Sequence, residues 1–99
     1  MLNLIKDVEK WFVDRNLDTL DGTGQLKKLQ EEVQELLDAD NRADEIDAVG
    51  DITVVLIGYC MQRGLVFEDC LQAAYDEIKD RKGKVNEQGI FVKEENLND

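Results

Sequence analysis

The sequence predicts an all-α protein, a bundle of four to five helices that self-associates. Three observations carry this. The 99-residue chain has no proline, which favours long uninterrupted helices. Apolar residues recur at three- and four-residue steps in four segments, one stripe per segment. Hydrophobic residues make up 42% of the chain despite a net charge of −11, which separates it from disordered acidic tails. A chain this long suits one domain, and residues 1–99 read as a single helical domain with 94–99 as a frayed tail.

The first helix carries Leu4, Ile5, Val8, Trp11 and Phe12 on one face and should end near Arg15-Asn16, with Leu17-Asp18-Thr19 opening a linker. Asp21-Gly22-Thr23-Gly24 is a loop signal, and Thr23 is the expected N-cap of the next helix. That helix spans about 25–39, with Leu26, Leu29, Val33, Leu36 and Leu37 facing the core. The third spans about 43–63. Its second half, Ile52 to Met61, is apolar almost all round and must be enclosed. The rest of so short a chain can hardly cover it, which predicts a homodimer or homotetramer. Gly64 should stop this helix as a C′ glycine. The fourth spans about 67–81 and should end at Gly83. After it, the alternation Gly89-Ile90-Phe91-Val92 allows a short hairpin or an extended arm.

Composition excludes several functions. With 23 acidic residues against 12 basic ones, the surface repels nucleic-acid phosphates and anionic lipid, so no nucleic-acid polymer and no membrane is expected as partner. There is no histidine, and Cys60 and Cys70 are the only cysteines. That is too few ligands for a zinc site and leaves no Ser-His-Asp or Cys-His centre. Both cysteines lie on apolar segments and read as reduced, buried thiols. The N-terminus does not resemble a signal peptide, and the apolar run of the third helix is about half a bilayer span. A soluble, cytoplasmic protein is expected.

The acids are not evenly spread. Glu31, Glu32 and Glu35 lie three and four residues apart and project from adjoining turns of the second helix. Asp44, Asp47 and Asp51 repeat that spacing on the third helix, where Asp47 and Asp51 approach the apolar run and an uncompensated carboxylate is expensive. Gly50 beside Asp51 would let a ligand or backbone come close. Two helices joined by a short connection meet as neighbours, and convergent carboxylates are the hard-oxygen ligand set that Mg²⁺ favours. Lys79, Arg81, Lys82 and Lys84 then concentrate positive charge at the end of the fourth helix. Complementing the helix dipole would explain some of these, but basic side chains together with Mg²⁺ are also the usual means of stabilising phosphoryl charge.

The order Glu31-Glu32-x-x-Glu35, then Asp47-Ala48-Val49-Gly50-Asp51 leading into Val54-Val55-Leu56, then Ala74-Tyr75-Asp76-Glu77-Ile78-Lys79-Asp80-Arg81-Lys82-Gly83-Lys84, resembles the MazG-like nucleotide pyrophosphohydrolases. The likeness is greatest to the short single-domain versions of phages and prophages, and runs from about 11 to 93. It implies a MazG-like helical fold and Mg²⁺-dependent cleavage of an NTP or dNTP to the monophosphate and pyrophosphate, with Mn²⁺ able to substitute. The family pattern is E-x-x-E followed by E-x-x-D, which Glu32, Glu35 and Asp51 match. Ala48 stands where the pattern has an acid, and Asp47 is the nearest replacement. Asp76 stands where many relatives have Asn. The resemblance thus implies Glu32, Glu35, Asp47 and Asp51 as metal ligands and Glu31 or Glu35 as the residue that orients or deprotonates water. It implies Asp76, Lys79, Arg81 and Lys82 as substrate-binding residues. Trp11 or Tyr75 could stack on the base, although core packing is favoured for Trp11. The competing readings are a nucleotide-binding or regulatory protein of the same fold without turnover, and a helical oligomerisation module without a ligand.

Overall fold

The structure, a computed structural model, describes residues 2–96. Among these it forms helices α1 (Leu2–Asp14), α2 (Thr23–Asp38), α3 (Arg42–Gln62) and α4 (Phe67–Ile78), and strands β1 (Gly83–Val85) and β2 (Phe91–Lys93). The fold is all-α, its one small sheet being a two-stranded antiparallel hairpin. Two compact units divide after Phe67. No single helix among the described residues is long and apolar enough to cross a membrane.

In the first unit α3 is the central element, packed on both α1 and α2. Its buried residues are Ala48, Val55, Ile57, Gly58 and Cys60, and α1 adds Phe12. The tightest fit is between Phe12 and Gly58. A Cβ at position 58 would run into Cζ, Cε1 and Cε2 of the Phe12 ring, so only glycine lets the far end of the ring come this close to the helix. Trp11 meets the Phe12 ring edge-on at 5.2 Å but is itself exposed, with the Arg15 guanidinium 4.3 Å above it. The expected core role of Trp11 is corrected accordingly: the core position belongs to its neighbour.

The connections carry most of the other corrections. Leu17–Thr19 is a 3-10 turn, held to α3 by Gln62 Nε2 donating to the Leu17 carbonyl at 2.8 Å. Thr23 is the first residue of α2, and Gly22 takes the N-cap position with φ 94°. The capping oxygen comes from Asp21, whose Oδ1 accepts from the Thr23 amide and hydroxyl. Asn41 caps α3, accepting from the Asp44 amide at 2.9 Å while its own Nδ2 donates to the Asp44 carboxylate. Gly64 does end the helix as expected. Its amide bonds to the Met61 carbonyl and that of Leu65 to Cys60, with φ 69° at the glycine, which is the Schellman arrangement.

In the second unit α4 stops at Ile78, three residues before the expected end, because the chain turns there through the Arg81 amide bonded to the Ile78 carbonyl. Gly83 does not terminate the helix but opens β1, pairing with Lys93. Of the hairpin and the arm, the hairpin forms, its turn fixed by Asn86 Oδ1 accepting from the Gln88 and Ile90 amides. Glu94–Asn96 is a 3-10 turn, and the remainder of the expected frayed tail, 97–99, lies outside the described residues. Cys60 is buried as expected, but Cys70 is exposed, since no residue of α4 is buried within the chain.

The Phe12–Gly58 contact predicts that Gly58→Ala costs about 1–3 kcal/mol by overpacking, a fall of several degrees in Tm. Gly50, also within α3, has nothing within 4 Å of an added Cβ. Thermal melts should therefore show Gly50→Ala unchanged or slightly raised.

Candidate active site

The connection between α2 and α3 is only residues 39–41, so the two helices pack side by side and their acidic faces meet. Glu32 and Glu35 from α2 and Asp51 from α3 each direct a carboxylate oxygen to a common point, these oxygens lying within 4.8 Å of one another. Glu35 and Asp51 are exposed, but Glu32 is only 3% exposed. Glu32 Oε1 receives the Lys28 ammonium at 3.2 Å, and Glu32 Oε2 is buried without a hydrogen-bond partner. A buried carboxylate oxygen with nothing to accept from is costly.

Electrostatics point the same way. Glu35 is held above the ordinary carboxylate range, first by the hydrogen bond its protonated form can give Glu32 and then by the Glu32 charge. When both are ionised neither has a proton to donate, so the pair favours a proton or a cation between them. Lys28 is raised above its ordinary value by its hydrogen bond to Glu32, then by the Glu32 charge. Three hard oxygens, one of them from a buried carboxylate, fit a small divalent cation.

The other candidate acids fall elsewhere. Glu31, next in sequence to Glu32, points away into solvent, and its nearest cation is Lys28 at 4.0 Å. Asp44 is occupied in the α3 cap. Asp47 is exposed and outside the three-oxygen cluster, but it lines an adjoining cavity of about 300 Å³ with Glu35, Asp38 and Ala48. Ala48 is buried. Gly50 lines an apolar cleft with Ile5, Val8 and Val54 rather than the carboxylates.

The substrate-binding candidates belong to the second unit. Asp76 pairs with Lys79 at 3.5 Å and accepts from Gln72. Arg81 pairs with Glu77 at 3.7 Å. Arg81 and Lys82 line a cavity of about 550 Å³ with Lys93, Glu77, Asp80, Glu94 and Glu95, so its charges alternate in sign. Sequence reasoning missed two cations. Lys93 reaches this cavity through its hairpin register with Gly83. Lys28 was detectable as the residue one turn before Glu32.

The chain matches the family model described as phosphoribosyl-ATP pyrophosphohydrolase over residues 5–82. It belongs to that family. The family is part of the MazG-like nucleotide pyrophosphohydrolase superfamily, and the chain is therefore a pyrophosphohydrolase, a hydrolase acting on acid anhydrides. Pyrophosphohydrolases of this family are typically dependent on divalent cations. No curated protein and no solved structure matches the chain.

The cluster predicts a stability test. A cation at about one hundred times its Kd adds about 2.7 kcal/mol, on the order of ten degrees for a domain this small. Mg²⁺ should raise Tm, EDTA should remove the gain, and Asp51→Asn should abolish most of the response. An unresponsive wild type would rule out the cluster as a metal site.

Proposed function

We propose that the protein is a Mg²⁺-dependent nucleoside triphosphate pyrophosphohydrolase, releasing a nucleoside monophosphate and pyrophosphate from an NTP or dNTP. The observation that carries this is a three-carboxylate cluster, one member of which, Glu32, is buried with an unpartnered oxygen, in a chain of a pyrophosphohydrolase family. The family match crosses the boundary between the two units, which supports treating residues 1–99 as one functional domain.

Glu32, Glu35 and Asp51 would hold the cation. Mg²⁺, when bound, would neutralise phosphate charge and make a bound water more acidic. We assign the water's proton to Glu35, which borders both the cluster and the neighbouring cavity. Glu31 is exposed and outside the cluster. Water adds to phosphorus at the α–β anhydride, the P–O bond breaks, and the bridging oxygen leaves with the pyrophosphate. Asp47, on the cavity wall, is assigned to the outer hydration of the site. Asp76, Lys79, Arg81 and Lys82 are assigned to the substrate, the three cations to its phosphates on charge alone.

The substrate has a second reading, favoured by the family description itself: phosphoribosyl-ATP, a nucleoside triphosphate carrying a further group. The same chemistry would serve both. Pyrophosphate release should be measured with Mg²⁺ on a panel of NTPs, dNTPs and phosphoribosyl-ATP. Wild type should release it, and Glu35→Gln and Asp51→Asn should each lose about 10²-fold or more. Release from phosphoribosyl-ATP alone would decide for the second reading. No release from any substrate would shift the proposal to nucleotide binding without turnover and implicate Ala48.

We also propose a homodimer or homotetramer. Leu26, Val33 and Leu37 on α2 and Ile46 and Val49 on α3 are exposed, Leu37 at 73% and Ile46 at 64%. Exposed apolar residues on this scale mark an association surface. Analytical ultracentrifugation at micromolar concentration should find no monomer, and Leu37→Glu together with Ile46→Glu should produce one. A monodisperse wild-type monomer would overturn this.

A further inference from the structure

Lys28, Glu32 and Glu35 stand at i, i+4 and i+7 on α2, one face of one helix. Among the described residues Lys28 is the only cation paired with the three-carboxylate cluster: its ammonium is 3.2 Å from Glu32 Oε1, while Glu32 Oε2 is buried and unpartnered. The two oxygens of one carboxylate thus differ, one held by a lysine and one without a partner. The cluster carries three negative charges and Lys28 returns one, leaving a deficit of two that one divalent ion balances. The Lys28 side chain is 54% exposed, on a flexible stem that can turn its ammonium to another anion. A polyphosphate approaching the cation brings such an anion to within reach.

We propose that Lys28 is the resident counter-cation of the metal-free cluster and a phosphate-contacting residue for the nucleotide. In the metal-free protein it holds the Glu32 carboxylate in position through the 3.2 Å contact. When the cation and nucleotide enter, repulsion by the cation and attraction by the phosphates move the ammonium from Glu32 to the substrate. Removing it therefore has opposite effects on two equilibria: the bare cation binds more tightly and the nucleotide less tightly. An exposed i,i+4 ion pair with only a structural role would alter thermal stability alone.

This inference rests on the proposed metal site, and the experiment separates the two. Mn²⁺ is titrated into the full chain and followed by electron paramagnetic resonance, without nucleotide, for wild type, Lys28→Met, Lys28→Arg and Asp51→Asn. Binding of a non-hydrolysable α,β-methylene triphosphate is then measured with saturating Mn²⁺. In Lys28→Met, Mn²⁺ should bind on the order of tenfold more tightly and the analogue on the order of tenfold more weakly, while Lys28→Arg stays near wild type in both. Unchanged or weakened Mn²⁺ binding in Lys28→Met, or unchanged analogue binding, overturns the proposal for Lys28. If wild type has no Mn²⁺ site that Asp51→Asn removes, the metal site itself fails and the Lys28 proposal falls with it. Circular dichroism of each variant establishes that the helices are retained.

Discussion

A carboxylate taken out of water at the contact of two helices is the constraint around which the first unit is organised. Glu32 is nearly inaccessible and one of its oxygens has no partner. Such a group is tolerated only when its surroundings supply charge. Lys28 supplies part of it from the preceding turn. Glu35, on the next turn of α2, and Asp51, brought across by the short connection to α3, join Glu32 there, raising the demand rather than meeting it. The arrangement makes chemical sense as an ion-binding device and little sense as a stabilising one.

That device depends on α3, which has two different tasks along its length. Its first half is acidic and capped by Asn41, with Asp44 and Glu45 in the favourable first turn. Its second half supplies most of the small core and receives α1 through Phe12. The site and the core are therefore on one rigid element, and the position of Asp51 is set by packing a few turns away. Sites carried on helices are held more precisely than sites on loops.

Much of this was legible in the sequence because helical periodicity and helical ligand spacing are the same regularity. The stripe Leu4, Ile5, Val8 and Phe12 marked α1, and the steps between Glu32 and Glu35 and between Asp47 and Asp51 marked the acidic faces. What sequence could not decide was which of two adjacent residues turns inward. Glu31 and Glu32 differ only by about 100° around the helix axis, as do Asp47 and Ala48, and tertiary contact chooses between them. Capping was misread for a related reason. Asp21 and Thr23 both carry capping oxygens, and the backbone at Gly22 decides which is used, while Asn41-x-x-Asp44 was a cap signal overlooked because its acid also fitted the ligand spacing. The burial expected of Cys70 rested on the apolar residues around it, but none of the residues of α4 is buried within the chain.

The glycine at position 58 has a consequence for how such a sequence can change over generations. The Phe12 ring and the bare backbone beneath it form a single locus split between two helices: neither can gain bulk unless the other gives way. Substitutions there are expected to arise in pairs or not at all. The acidic face is under no such steric lock, since Glu35 and Asp51 are exposed. Within one helix, then, the residues that determine shape are constrained to drift together, while those that determine chemistry are free to drift singly. A lineage could retune its acidic cluster and keep its architecture.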